Sequence, residues 1–142
     1  MGILEWLFGE KKKADDYFQK SGENFNDGDL ELGIQNLSKA IELDSTNAMY
    51  YYNRGTAKKM MLDYKSAIPD FTKAIDLKFE SLEMAYFNRA MSKLHTQDLE
   101  GSKKDNRKAE ELGYDEYQVE QLDEWLDSVD EMGYDEFSKQ FD

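Results

Sequence analysis

Residues 48–81 read AMYYYNRGTAKKMMLDYKSAIPDFTKAIDLKFES, and this stretch decides the fold. Small and aromatic side chains recur along it at helical spacing, at Tyr51, Gly55, Tyr64, Ala67, Phe71 and Ala74. Small residues let two helix axes approach closely, and aromatic residues fill the space between neighbouring helices. The stretch therefore predicts two packed helices joined by a turn at Leu62-Asp63.

The same pattern occurs three times along the chain. The first and second copies are 34 residues apart through Ser21 and Gly55, Asp29 and Asp63, Ile34 and Ile68, Lys39 and Lys73, Ala40 and Ala74, and Leu43 and Leu77. The second and third copies are 35 residues apart through Tyr51 and Tyr86, Asn53 and Asn88, Arg54 and Arg89, Asp63 and Asp98, Ala74 and Ala109, and Leu77 and Leu112. A period of this length is typical of stacked helical repeats. The added residue falls in the connector around 78–82, where it disturbs no helix.

These residues resemble the tetratricopeptide repeat family, whose unit is a pair of antiparallel helices of about 34 residues. The first copy keeps the family's positions at Tyr17, Ser21, Phe25, Gly33, Leu37 and Ala40, and the third at Tyr86, Ala90, Leu99, Ser102 and Ala109. The family's usual closing proline is absent, and Ser45, Phe79 and Tyr114 lie near those places. The resemblance implies an all-α fold, a right-handed superhelix of antiparallel helical hairpins.

On this basis the chain divides into five segments. They are an N-terminal apolar and basic segment at 1–13, repeats at 14–47, 48–82 and 83–114, and an acidic C-terminal capping helix and tail at 115–142. Asp115 can cap that last helix, which we expect to run to about Met132 and to cover the open end of the third hairpin with its apolar stripe.

Aspartates at the turns mark where the second helix of each hairpin begins. Asp29, Asp63 and Asp98 can each accept a hydrogen bond from the first turn of the helix that follows. Pro69 does not fit, because proline in the interior of a helix costs about 3 kcal/mol. We therefore expect a local irregularity there, or a later helix start with Ser66 as the cap.

Composition and charge exclude several classes of function. Residues 110–142 carry 13 acidic side chains against Lys139 alone, and this acidic end argues against a nucleic-acid partner, whose phosphates would be repelled. The chain has no cysteine and a single histidine, His95, and it lacks a phosphate-binding glycine loop and metal-ligand spacing. We predict that the protein is not an enzyme and has no catalytic residue, cofactor or metal ion.

The N-terminal segment combines a short apolar stretch with a run of lysines: Ile3, Leu4, Trp6, Leu7 and Phe8, then Lys11, Lys12 and Lys13. A secretory signal needs a positive start and a longer apolar core, and no stretch approaches the ~20 apolar residues of a membrane span. We therefore expect a soluble, cytoplasmic protein. Three interpretations of the segment stay open: a helix that covers the first hairpin, a membrane-surface anchor, and insertion into a groove of its own or a neighbouring chain, with self-association.

The resemblance implies that the first helices of the hairpins line a concave peptide-binding groove. The residues assigned to it are Phe18, Gln19, Met49, Tyr52, Asn53, Thr56, Met84, Phe87, Asn88 and Met91. Methionine and aromatic side chains suit apolar partner surfaces, and asparagines can hydrogen-bond an extended backbone. We expect an adaptor that binds an apolar or amphipathic segment of another protein, with Tyr52, Asn53, Phe87 and Met91 carrying much of the affinity. Several of these side chains equally suit packing between hairpins.

Two further interpretations concern the partner. Some members of the family clamp the C-terminal carboxylate of chaperones with Lys, Asn and Arg. Asn53 matches that set, but Phe18, Gly22, Met84 and Asn88 stand where the clamp has Lys, Asn, Lys and Arg, so an acidic chaperone tail is disfavoured. The alternative function is a peripheral membrane-associated assembly factor tethered through the N-terminal segment.

Overall fold

The computed structural model describes residues 2–141; Met1 and Asp142, the outer ends of the first and last predicted segments, lie outside them. Within 2–141 the chain forms eight α-helices and no strand, which confirms the all-α class. The helices are α1 (Ile3–Asn26), α2 (Leu30–Leu43), α3 (Ala48–Met60), α4 (Tyr64–Asp76), α5 (Leu82–His95), α6 (Leu99–Glu111), α7 (Glu116–Met132) and α8 (Tyr134–Ser138). None of them is long and apolar enough to cross a bilayer.

The helices fall into two compact units, unit 1 at residues 1–79 and unit 2 at residues 80–142. In unit 1, α1 pairs with α2 and α3 with α4, and α2 also packs on α3. Ala14, Leu37, Ala40 and Tyr50 form a buried cluster at the meeting point of α1, α2 and α3. α1 runs without a break from Ile3 to Asn26, across the boundary predicted between residues 13 and 14.

The turn within each hairpin has the predicted cap. The carboxylates of Asp29, Asp63 and Asp98 accept hydrogen bonds of 3.0, 3.2 and 3.0 Å from the backbone N–H three residues later. The residue before each aspartate has a left-handed backbone, at Gly28 and also at Leu62 and Gln97, where φ is 62° and 63°.

The expectation of a later start for α4 was wrong. The helix begins at Tyr64 under the Asp63 cap, and Pro69 lies inside it. Proline removes one intrahelical hydrogen bond, whose acceptor would be the carbonyl of Lys65. Both Pro69 and Lys65 are solvent-exposed, so water can satisfy that carbonyl while the opposite face, with Ala67, Phe71 and Ala74, is fully buried. The free energy gained by burying this apolar face outweighs the loss of one intrahelical hydrogen bond.

In unit 2, α5 and α6 form a hairpin on which α7 packs, and α8 packs on α7. As predicted, Asp115 caps α7 by accepting from the N–H of Gln118, and the helix ends at Met132. Its stripe is buried, with Leu122 and Leu126 at most 1% exposed. α8, which the sequence did not predict, adds Phe137 to the same core.

Candidate functional site

An aromatic stack recurs in the two units and buries two of the predicted groove residues. The ring of Tyr52 stacks on Phe79 with centroids 4.3 Å apart, and Phe87 stacks on Tyr114 at the same distance. Phe79 and Tyr114 follow the second helix of their hairpins, near the place of the family's closing proline. Tyr52 and Phe87 are only 9% and 8% exposed, so most of each ring contacts the protein itself.

The first hairpin lacks this stack because Ser45 occupies the corresponding position. Phe18 instead packs on Tyr50 of α3, with ring centroids 5.2 Å apart, and belongs to the margin of the buried cluster in unit 1. The Tyr50 hydroxyl donates a 2.7 Å hydrogen bond to Asp15. The pKa of Tyr50 is raised, mainly by burial and further by this hydrogen bond. Phe18 therefore joins α1 to α3 and is only partly accessible.

The other groove residues of unit 1 remain accessible on α1 and α3. Gln19 is exposed, Met49 is 36% exposed, and Asn53 and Thr56 are half-buried. Asn53 and Thr56 help to line a cavity of about 140 Å³, whose other lining residues are Phe25, Leu30, Ala57 and Met60. The Thr56 hydroxyl donates to the Tyr52 carbonyl oxygen at 3.0 Å, which satisfies it within its own helix. We call this surface, formed by Gln19, Gly22, Met49, Asn53, Thr56, Met60 and the cavity, the α1–α3 face.

Four residues that line this cavity were not among the predicted groove residues: Phe25, Leu30, Ala57 and Met60. Met60 begins an apolar run in which Met60 is 62% exposed, Met61 41% and Leu62 70%. Three large apolar residues at the end of a helix, just before a polar turn, were the available signal. Nearby, burial lowers the pKa of Lys59.

The predicted residues of unit 2 offer less accessible surface. Met84 is 39% exposed, but Met91 packs against the core cluster that contains Leu94 and Leu122. Asn88 is 8% exposed, and its side-chain amide donates a 3.0 Å hydrogen bond to the carbonyl oxygen of Met84 in its own helix. The amide predicted to bind a peptide backbone is thus engaged within α5.

Buried ion clusters join the two helices of the second and third hairpins. Asp70 accepts from Arg54 and Lys58, each at 2.7 Å, and 35 residues later Asp105 accepts from Arg89 at 2.7 Å and Lys93 at 2.8 Å. In the first hairpin the corresponding positions hold an amide pair, in which Asn36 donates to Asn24 at 2.7 Å. These ion pairs lie within the hairpins. They engage the cationic side chains of the two clusters, which from the sequence alone could have been available to a ligand.

A wide, charged cavity of about 810 Å³ lies along α6 in unit 2. Its lining is Tyr86, Arg89, Glu100, Gly101, Lys103, Lys104, Asp105, Arg107, Lys108 and Glu111. Charges of both signs alternate there, and Arg89 is held by Asp105 while Lys108 pairs with Glu111. This surface is lined mainly by charged side chains, whereas the α1–α3 face is lined mainly by apolar and amide groups, so the α1–α3 face is the stronger candidate for binding an apolar segment.

Comparison with known proteins identifies the same repeat. The tetratricopeptide repeat model matches residues 48–81. Serine/threonine-protein phosphatase 5 of Homo sapiens is 35% identical over 86 residues, which is 61% of this chain and 17% of the phosphatase. Small glutamine-rich tetratricopeptide repeat-containing protein 2 of Saccharomyces cerevisiae is 34% identical over 84 residues, 59% of this chain and 22% of that protein. The chain thus spans about a fifth or less of the curated relatives it matches.

A solved structure with a similar fold is the first tetratricopeptide repeat domain of Spaghetti (RPAP3), bound to the HSP90 peptide SRMEEVD. The TM-score is 0.76, the identity is 24%, and the match covers 84% of this chain and 94% of that domain.

Proposed function

We propose that this chain, which belongs to the tetratricopeptide repeat family, is a non-catalytic protein-interaction module that binds an apolar or amphipathic peptide segment on its α1–α3 face. One observation carries the proposal: a small, mainly apolar cavity adjoins the exposed side chain of Met60 and the amide of Asn53. Binding pockets commonly combine apolar walls with a few polar groups that fix the ligand's orientation.

The dimensions of the cavity favour one anchoring side chain. A dry cavity of about 150 Å³ holds a benzene molecule, so about 140 Å³ accommodates a leucine, methionine or phenylalanine side chain. Met49 and Met60 can adapt to different ligands because methionine has three flexible torsions and a polarizable sulfur. Asn53 supplies a donor and an acceptor for the backbone of the bound segment.

The residues at the chaperone-clamp positions support an apolar ligand over an acidic one. In this chain Phe18 is packed on Tyr50, Gly22 has no side chain, Met84 is apolar and Asn88 donates within α5. A peptide such as SRMEEVD would find no lysine or arginine at these places to neutralise its carboxylates.

Isothermal titration calorimetry with heptapeptides selected from a displayed library tests the proposal. Met60→Glu places a charge at the cavity and should weaken binding at least about tenfold, while Asn53→Ala should cost about 1 kcal/mol. Met132→Glu is the matched control, because Met132 is 44% exposed in unit 2, and it should leave affinity unchanged. Equal affinities for all three variants and the parent chain would refute the α1–α3 face as the binding site.

A further inference from the structure

The second helix of the third hairpin carries cations that the other two hairpins lack. α6 holds Lys103, Lys104, Arg107 and Lys108. At the same positions of the repeat, α4 holds Ile68, Pro69, Thr72 and Lys73, and α2 holds Ile34, Gln35, Ser38 and Lys39. Three positions that are uncharged in the first two hairpins are therefore cationic in the third. The surroundings do not account for this change, because residues 80–142 carry 18 acidic side chains against 7 basic ones.

Most of the basic side chains in unit 2 already have a carboxylate partner. The ion pairs are Arg89 and Lys93 with Asp105, Lys103 with Asp130, Lys108 with Glu111, and Lys139 with Glu136. Lys104 and Arg107 form no ion pair with a carboxylate of residues 2–141. Both side chains are solvent-exposed, and both line the cavity of about 810 Å³ along α6. Two cations without a partner thus open onto one cavity.

The spacing of these cations brings them together on one face of α6. Residues three or four apart on a helix are neighbours, with Cβ atoms about 5–6 Å apart, so Lys104 adjoins both Arg107 and Lys108. The Lys108–Glu111 pair is well exposed, with 46% and 64% of the two side chains accessible, and exposed pairs of this kind are weak. A ligand of higher charge can therefore take Lys108 from Glu111, which gives it three cations.

The buried part of the cavity lining is already engaged. Asp105 is 2% exposed and accepts from Arg89 at 2.7 Å, while the Arg89 guanidinium lies over the ring of Tyr86, 5.4 Å from its centroid. These groups form a fixed wall beside α6. The exposed cations of α6 are the ones that a ligand can reach.

We propose that this cavity binds a phosphorylated side chain of a partner protein, with Lys104 and Arg107 holding the phosphoryl group and Lys108 joining them. A phosphoryl group carries about −1.5 to −2 charges at pH 7 and has three strong acceptor oxygens. Arginine and lysine bind such a group through charge-assisted hydrogen bonds. A single carboxylate would only repeat the charge that Glu100 and Glu111 already supply in the same cavity lining, whereas the phosphoryl group exceeds it.

The acidic surroundings favour one compact phosphoryl group over a polyanion. Charges more than about 8 Å apart are largely screened at physiological ionic strength, so the attraction of the three cations is local. A nucleic-acid strand or an anionic bilayer would extend beyond them to the carboxylates of unit 2, which would repel its further phosphates.

The size of the cavity favours a phosphorylated segment over a free phosphate ion. A volume of about 810 Å³ lies in the range of pockets that hold drug-sized ligands, so the residues on either side of the phosphoryl group also find space. This cavity shares no residue with the α1–α3 face. The two surfaces can therefore be tested separately.

An NMR titration of the ¹⁵N-labelled full chain in phosphate-free buffer tests the proposal. The probes are three heptapeptides with blocked ends and only alanine and glycine around a central phosphoserine, serine or glutamate. The phosphoserine peptide should saturate with a Kd below about 1 mM and shift the amide signals of Lys104, Arg107 and Lys108. The serine and glutamate peptides should produce no saturable shift. Raising sodium chloride from about 0.05 to about 0.5 M should weaken phosphoserine binding at least about fivefold, because charge pairing drives it.

Substitutions in α6 locate the site. Arg107→Gln and Lys104→Gln should each weaken binding of the phosphoserine peptide at least about tenfold, because each removes a charge-assisted hydrogen bond. Both side chains are exposed, so the fold stays intact, which the amide spectrum checks. Lys139→Gln is the matched control: it removes the same charge from unit 2, but Lys139 does not line the cavity, and this variant should bind like the parent chain.

Several results would overturn the proposal. They are the absence of saturable phosphoserine binding, equal binding of the glutamate peptide, unchanged affinity in Arg107→Gln and Lys104→Gln, and an equal loss in Lys139→Gln. Tighter binding of inorganic phosphate than of the phosphoserine peptide would make the cavity a site for the free ion. Binding of a DNA duplex that is lost in Arg107→Gln would make it a polyanion site, and either result would also overturn the assignment to a phosphorylated side chain.

Discussion

At the residue scale, single small side chains set how closely the helices approach. A Cβ added at Gly55 would lie 3.0 Å from Cε1 of Phe71 and 3.2 Å from Cβ of Asp70. Both neighbours are buried, Phe71 completely and Asp70 within its ion cluster, so neither has space into which it can move. At Gly22, also within a helix, an added Cβ would meet nothing within 4 Å. The two glycines thus have different roles although both are helical.

We predict opposite effects of substitution at these two glycines. Gly55→Leu forces α3 and α4 apart and should lower the free energy of unfolding by about 3 kcal/mol. Gly22→Ala removes only the entropic disadvantage of a helical glycine and should raise it by about 0.5–1 kcal/mol. Urea unfolding followed by circular dichroism measures both. An unchanged midpoint for Gly55→Leu would mean that the repeat register is wrong.

The small positions were predictable because they recur every 34 or 35 residues, as Ser21, Gly55 and Ala90 do. The aromatic stacks were not, because Phe79 and Tyr114 lie after a helix, where neither helical nor strand periodicity applies. For this reason Tyr52 and Phe87 were assigned to the groove from their register alone. The rings of Tyr52 and Phe87 are covered by Phe79 and Tyr114, and only the folded structure shows where these two connector residues lie.

At the element scale, ion clusters hold the helices of two hairpins together. Asp70 is 4% exposed and Asp105 2%, and each bridges two cations of the preceding helix. The first hairpin has the uncharged pair Asn24 and Asn36 at the same positions. The sequence contained this signal in the 35-residue spacing of Asp70 and Asp105, but spacing alone does not show that the charges are buried.

We predict that Asp70→Asn destabilises unit 1, because it leaves Arg54 and Lys58 half-buried without a carboxylate. Removing one partner of a buried ion cluster typically costs about 3–5 kcal/mol, and the partial exposure of the two cations places the expected loss near the lower value. Asp130→Asn is the control: it removes the partner of Lys103 at the surface and should leave the midpoint of urea unfolding unchanged. Equal midpoints for the two variants would show that the buried cluster adds nothing to stability.

The helices themselves were largely predictable, and the exceptions have physical causes. Aspartate caps and apolar stripes located the starts of α2, α6 and α7. α8 has only five residues, which is too short for a periodic pattern. The proline in α4 was misjudged because a local rule cannot weigh the burial of the opposite face.

At the scale of the whole molecule, the two units differ in net charge. Residues 1–79 carry 13 acidic and 11 basic side chains, whereas residues 80–142 carry 18 and 7. The α1–α3 face thus belongs to the nearly neutral unit and contains mainly apolar and amide groups. Association driven by burial of apolar surface should depend only weakly on salt.

The most direct test of the account is an NMR titration of the ¹⁵N-labelled chain with two heptapeptides, one selected from an apolar library and the other SRMEEVD. We predict that the apolar peptide saturates and shifts the amide signals of Gln19, Gly22, Asn53, Thr56 and Met60, and that SRMEEVD produces no saturable shift. Saturable binding of SRMEEVD, or shifts from the apolar peptide confined to Lys104 and Arg107 on α6, would contradict the account.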